Sequence, residues 1–513
     1  MITRRDLIAQ SSAVAALSAV PVLSSCGGTS APDGLPEYTY DGPAGPESLF
    51  QHGVASGDPG QDSILLWTRV TPEAAAASVP VFYEVATDVL FSHRVAAGTT
   101  ETTPERDYTV KVVVEGLTQG RDYYYRFRAL GRSSRLGHTR VTGASELSHL
   151  RFGVCSCASY AHGWFHGYRH LAARTDLDAV LHLGDYIYEY GTGEYGDARE
   201  YEPSHEIVTL QDYRARYAQY RRDPDLQAAH AQHAFISVWD DHETADNSYR
   251  DGANNHEPAN EGSWPERVAA ARKAYFEWMP VRETPELGLY RRVQYGQLAD
   301  LIFLDTRIAG RDPQSSEEDT IAMGSRQLLG IAQEDWLERQ LSESAAHWKL
   351  LAQQVVFAPW SIFNEDAWDG YPEARKRVLE MIRTTPGGNA VVLTGDIHTS
   401  WAYEVPGDPA DLSSEPICAE FVCPGISSPG FPINSAEAAQ SAHNGMRESN
   451  PHLRFVNLWQ RGYIVLDLTR ERLQADWFLL DGVEQDAGQE SFIHGSILNS
   501  GSSRLTEASS PAG

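Results

Sequence analysis

Four short strings in this chain end an apolar run with residues able to hold metal ions. They are Asp185 and Tyr188 in LGDYIYEY, Asp241 and His242 in WDDHE, Asp396 and His398 in LTGDIH, and a thiol in FGVCSC. Carboxylate and amide oxygens suit hard divalent cations, whereas thiolate and imidazole suit transition metals. Any one string is weak, because an aspartate capping a loop or a buried histidine is the commoner reason for such a residue. Together, in this order along the chain, they point to a metal site. Metal coordination lowers the pKa of bound water until hydroxide exists near neutral pH, so hydrolysis is the chemistry open to such a site.

The elements that must position these residues are legible as continuous apolar runs: LRFGVCSC, DAVLHLGD, AFISVWDDHE, DLIFLDTR, KLLAQQVVFAP, NAVVLTGDIH, ICAEFVC and YIVLDL. Continuous runs of this length are strands buried on both faces, and the helical patterns LQDYRARYAQYRRDPDLQAAHAQ and WPERVAAARKAYFEWMP lie between them. In such α/β layers ligands bind beyond the carboxyl ends of the strands, where the polar clusters fall. Cys155 sits one strand step behind Cys157 and is expected to be a plain core residue. Arg307 ends the run LIFLDTR and is a candidate phosphate clamp, or else an ion pair with Asp305 or a loop carboxylate. Segments 191–203 and 246–263, rich in Gly, Asn and acidic residues, are expected to form a rim.

Residues 46–145 read differently, as short alternating strands (DSILLWTRV, VPVFYEVAT, DYTVKVVVEGL, DYYYRFRAL) separated by turn residues. That pattern predicts a small fibronectin- or immunoglobulin-like β-sandwich without a catalytic cluster. Residues 27–45 are expected to be a flexible tether, and the serine-rich 499–513 a disordered tail.

Residues 1–26 do not read as part of the fold. A twin arginine, Arg4 and Arg5, precedes the short apolar run AVAALSAVPVL and the string LSSC. This order predicts export by the twin-arginine route, with Cys26 lipidated as the mature N-terminus of a periplasmic or cell-surface lipoprotein; simple cleavage of the signal is the alternative. The membrane is then a partner only through the lipid. The four other cysteines, Cys155, Cys157, Cys418 and Cys423, form no disulfide framework. A net charge of −28 argues against nucleic acid as a structural partner, and 513 residues suffice for two folded units. A monomer is expected.

The strings GDYIYEYG, WDDHE followed by Asn247, and LTGDIHTSW resemble the signature blocks of the PhoD-like alkaline phosphatases, a branch of the calcineurin-like metallophosphoesterases. FQHGVASGDP and WTRV resemble that family's N-terminal domain, and EFVCPGISSPG the block after its last metal motif, so the likeness spans about residues 46–480. The resemblance implies an αββα-sandwich metallophosphoesterase domain over 146–498 behind the β-sandwich, with Fe(3+) joined to Ca(2+) or another divalent metal. It makes Asp185 the bridging carboxylate. Cys157, Tyr188 and His398 become iron ligands, and Asp241, Asn247 and Asp396 fall to the calcium side. Asp185, His242 and Arg307 are then the catalytic candidates, with His242 assisting the leaving group or binding phosphate.

The substrates implied are small phosphate esters: monoesters, and diesters beside them. A phosphodiesterase or phospholipase D-type enzyme on the same metal site is the alternative within enzymes. From another class, a binding lipoprotein with a decayed site is opposed by the intact ligand set, because clustered polar groups burden a fold unless paired or metal-bound.

Overall fold

The computed structural model describes residues 33–513, apart from 144–145, 284–288, 434 and 486–487. The predicted export signal and Cys26 lie outside the described residues.

Two large sheets form the centre. In one, four parallel strands lie side by side: His149–Cys155, Ala179–His182, Ala234–Ser237 and Val54–Gly57. In the other, Ala299–Phe303, Trp348–Ala352, Ala390–Thr394 and Pro416–Val422 are parallel neighbours. Most of these strands are buried along their whole length, as their continuous Val, Ile, Leu and Phe content requires of a sheet covered on both faces. One apolar core holds side chains of both sheets, among them Phe152, Leu181, Ile236, Leu301, Leu350 and Leu393. Helices Leu210–Tyr220 and Trp264–Trp278 pack onto this core through Tyr217 and Tyr275. A second core, with Leu337, Val378 and Ile382, seats helices Ile331–Glu343 and Pro372–Thr384 on the second sheet. Thr209 starts Leu210–Tyr220 with a capping box: its hydroxyl accepts from Asp212 N, and the Asp212 carboxylate accepts from Thr209 N at 2.9 Å.

The N-terminal region has the expected two facing sheets, but one of them is continuous with a central sheet. Val54–Gly57, Ile64–Arg69 and Thr109–Val114 are the last three strands of the ten-stranded sheet that carries the site, joined by parallel pairing of Ser56 with Ala234 and Gly57 with Phe235. Val79–Ala86, Arg94–Thr102 and Asp122–Ala129 form the facing sheet, and Val54, Leu66, Val81, Val110 and Phe127 fill the core between them. Sheet continuity removes an edge at Ala234–Ser237 that would otherwise present unpaired N–H and C=O groups.

Both terminal expectations are corrected over the described residues, 27–32 of the expected tether lying outside them. Residues 33–45 are tied down: Asp33 pairs with Arg94 at 2.9 Å, the Tyr38 hydroxyl accepts from Gly131 N, and Gly45 N donates to Leu130 O. In the tail, Leu505–Ala508 pairs antiparallel with Glu490–Asn499 at the sheet edge, and Arg151 donates to Gly513 O at 2.6 Å. Its serine content left the sheet-pairing of LTEA unseen.

Candidate metal centre

The ligand candidates gather where strands of both sheets end. Cys157 follows His149–Cys155, Asp185 follows Ala179–His182, Asp241 follows Ala234–Ser237, and Asp396 and His398 follow Ala390–Thr394. Just past these ends the backbone turns sharply. Cys157, Asp185, Asn247, Asp396 and His398 all have positive φ, between 49° and 66°. Non-glycine residues seldom adopt this region, and a cluster of them marks a site where strain is held by surrounding structure. Cys157 N donates to Gly184 O, Ala158 N to Asp185 O, and Ser428 N to Cys157 O, so the loops brace one another.

Three overlapping groups of ligand atoms result, each within 4.8 Å: Cys157, Asp185 and His398; Asp185, Asp241 and His242; Asp240, Asp241 and Asp396. Asp185 belongs to the first two and is nearly fully buried. The Tyr188 hydroxyl donates to Asp185 Oδ2 at 2.9 Å and lies 2.6 Å from Ser428 Oγ and 3.2 Å from His398 Nε2. His398 Nδ1–H donates to Pro429 O at 3.0 Å, which leaves the lone pair on Nε2, aimed at Tyr188 and Asp185. Asn247 meets the cluster through its backbone N–H, donated to Asp241 Oδ2 at 2.6 Å.

The donors fit bound cations. Asp185 Oδ1 and Asp240 Oδ2 are buried without a hydrogen-bond partner, which a fold tolerates where another charge satisfies them. Burial pushes the Cys157 thiol and the Tyr188 phenol well above their usual pKa, with the Asp185 charge adding to it, so their ionised forms depend on a nearby cation. Burial also pushes Asp396 up to about 8 against the pull of Arg307. Burial opposes ionisation of Asp241, yet Arg307 and His242 hold it well below the ordinary range.

Of the two expectations for Arg307, the structure favours the ion pair with loop carboxylates over the phosphate clamp. Arg307 is fully buried, with Nε 2.5 Å from Asp240, Nη1 2.9 Å from both Asp366 oxygens, and Nη2 2.6 Å from Asp396 and 3.3 Å from Asp241. Every guanidinium nitrogen faces a carboxylate, leaving no fork for phosphate. Asp305 accepts only its backbone N–H. The geometry makes Arg307 a hub for the carboxylates.

Four residues with a part in this site went unassigned in the sequence. Asp240 belongs to the third ligand group. Glu243 accepts backbone N–H groups of Asp185, Tyr186 and Asp240 at 2.7–3.0 Å, joining two ligand loops. Glu189 binds His242. Asp366 anchors Arg307 and Arg311. The first three lie inside WDDHE and GDYIYEY, where proximity to ligands was the available signal; Asp366 has no local signal. Cys155 is core, fully buried and outside every ligand group.

Strand ends from two sheets converge on clustered carboxylates, a thiol, a phenol and imidazoles, the donor set of a hydrolytic metal centre. The comparisons agree. The PhoD-like phosphatase family matches residues 152–477, and its N-terminal domain matches 39–143. Alkaline phosphatase D of Bacillus subtilis (strain 168) is 40% identical over 465 residues, covering 85% of this chain and 78% of that protein. A solved structure of PhoD superposes with a TM-score of 0.85 at 37% identity, covering 92% of this chain and 94% of that one. The chain belongs to the PhoD-like phosphatase family.

Proposed function

We propose that the protein is an exported alkaline phosphatase of the D type, which hydrolyses phosphate monoesters and also diesters at an iron(III)–calcium centre. The single observation that carries the reading is the position of Asp185, shared between a group with Cys157 and His398 and a group with Asp241 and His242. Cys157, Tyr188 and His398 would hold iron, and Asp241, Asn247 and Asp396 calcium or another divalent cation. When bound, these cations supply a water of lowered pKa and neutralise charge on the transferring phosphoryl group. The chain's own residues set the geometry: Pro429 O orients His398, Glu243 fixes the Asp185 loop, and Arg307 fixes Asp240 and Asp396. His242, beside Asp241, faces the leaving-group oxygen. Arg4, Arg5 and Cys26 support twin-arginine export and lipidation, and replacing both arginines by lysine is expected to retain the protein in the cytoplasm.

The test is metal analysis of purified protein with assays on 4-nitrophenyl phosphate and its bis ester, with and without calcium. Iron, a visible phenolate-to-iron absorption band and hydrolysis of both esters are expected. A colourless, iron-free enzyme active with zinc alone would overturn the iron assignment, and a general preference for the diester would make it a phosphodiesterase.

A further inference from the structure

Where the N-terminal strands meet the helices of the large core, buried hydrogen-bond donors go without acceptors. Arg221 follows Leu210–Tyr220 as its C-cap, and its buried guanidinium lies 4.1 Å over the Trp67 ring. That contact leaves the N–H groups free, because they lie in the guanidinium plane. Nη1 donates to the Tyr186 hydroxyl at 3.3 Å, while Nε and Nη2 have no hydrogen-bond partner. Among the described residues Arg221 has no ion pair. The neighbouring acids are taken: Glu277 by Arg214 at 2.7 Å, Asp223 by Arg199 at 3.0 Å and Asp107 by Arg69 at 2.8 Å. The same aromatic group carries two more orphan donors. Trp278 ends helix Trp264–Trp278, its ring centroid 5.9 Å from that of Trp67 and 5.2 Å from that of His52, and its Nε1–H is buried and unpartnered. His52 comes from the turn before Val54–Gly57. Arg69 Nη1 can only donate to its Nδ1, at 3.5 Å, so the neutral imidazole carries its proton on Nε2, again buried without an acceptor. Burial, and then the charges of Arg69, Arg222 and Arg221, hold His52 far below the ordinary imidazole pKa and keep the ring neutral.

We propose that Arg221, Trp278 and His52 hold one chloride ion, a buried anion that fastens the N-terminal strands to the helices of the large core. A guanidinium without a counter-charge in low dielectric opposes folding, and each orphan donor adds to that cost. A water relieves only part of it, since it brings no charge and has two protons of its own to place on acceptors. A monovalent halide accepts from several donors at once, carries no proton and cancels the guanidinium charge. Phosphate and sulfate suit the place less well. Trp67 and Trp278 are fully buried and His52 and Arg221 only 1% exposed, so a large, strongly hydrated dianion has neither room nor a second free cation to meet it. The three residues come from three separate segments, the turn before Val54–Gly57, the end of Leu210–Tyr220 and the end of Trp264–Trp278, and none belongs to the ligand groups of the metal centre. The ion's work is therefore structural, apart from the phosphoesterase chemistry.

The experiment uses bromide as the probe, because it replaces chloride and is located by its anomalous scattering. Wild-type protein is crystallised without chloride and soaked in sodium bromide. In solution its thermal unfolding is followed against chloride and against bromide, with sodium gluconate keeping the ionic strength constant. One anomalous peak is expected within hydrogen-bond reach of Arg221 Nη2 and Trp278 Nε1, and the unfolding midpoint should rise by about 1 °C for each tenfold increase in halide. Arg221→Met, which removes the charge and both orphan guanidinium donors at similar length, should lose the peak and the halide dependence and keep its metals. Ordered waters in place of the peak would overturn the proposal. So would a peak in the crystal with a midpoint indifferent to halide, which means binding at crystal concentration only, or an unchanged halide dependence in Arg221→Met. Should Arg221→Met fail to fold, the wild-type peak and midpoint decide the matter by themselves.

Discussion

The N-terminal sheets and the metal centre bury charge in opposite ways. Glu84, buried between N-terminal strands, is surrounded by arginine: Arg126 Nε at 2.7 Å and Arg94 Nη1 at 3.6 Å. At the strand ends of the site, carboxylates crowd one another. Asp185 and Asp240 each keep a buried oxygen without a hydrogen-bond partner, and the single guanidinium of Arg307 answers four aspartates. A lone carboxylate with matched cations adds to a fold, whereas a carboxylate cluster in low dielectric opposes it unless a further positive charge is bound. Positive φ does not by itself distinguish the two regions, since Asp58, Phe91, Asp107, Tyr108 and Leu130 of the N-terminal region share it; at the strand ends the five such residues are candidate ligands. The N-terminal region is built for stability and the strand ends for holding cations.

Removing the shared carboxylate is the harshest way to break this contrast. Asp185→Asn is expected to lower both metal content and activity, the latter by at least about 10³-fold, since loosening one member of a unit disables the whole; plasma emission analysis beside the phosphatase assay checks it. Tyr188→Phe keeps most of the ring packing against His242 and deletes one oxygen. Its visible absorbance should vanish or shift strongly, with activity down on the order of 10²-fold. Full activity with an unchanged spectrum would remove Tyr188 from the iron side. The two neighbouring thiols sharpen the contrast further. Cys157→Ser should weaken iron retention about 10–100-fold, whereas Cys155→Ser should leave metal content intact and lower stability by about 1–3 kcal/mol through a buried hydroxyl. Chelator titration and denaturant unfolding separate the two. The smallest effect on the site comes from the N-terminal core: Phe127→Ala should cost about 3–5 kcal/mol of stability while the folded protein keeps its metals and kcat. A metal loss there would mean that the continuous sheet transmits packing defects from one region to the other.

By itself the sequence determined the α/β class, the strands that carry the site, and the ligand candidates Cys157, Asp185, Tyr188, Asp241, Asp396 and His398. Buried strands announce themselves as continuous apolar runs, and the residues that follow them are read off directly. The roles of Glu189, Glu243 and Asp240 were hidden in the same strings, because a carboxylate's role depends on which N–H or imidazole it meets. A loop carboxylate was a legible partner for Arg307, but which one was not, since Asp366 lies on a loop distant in sequence that had to fold against it first. The sequence also predicted a small β-sandwich and a loose tail; one sheet of that sandwich, through Val54–Gly57, extends the large sheet, and Leu505–Ala508 closes its far edge. Strand propensity is local, but the choice of partner strand is made by which open edge the folded chain presents. Tertiary structure alone therefore decided where one sheet ends, and which carboxylates come close enough to one another to hold a cation.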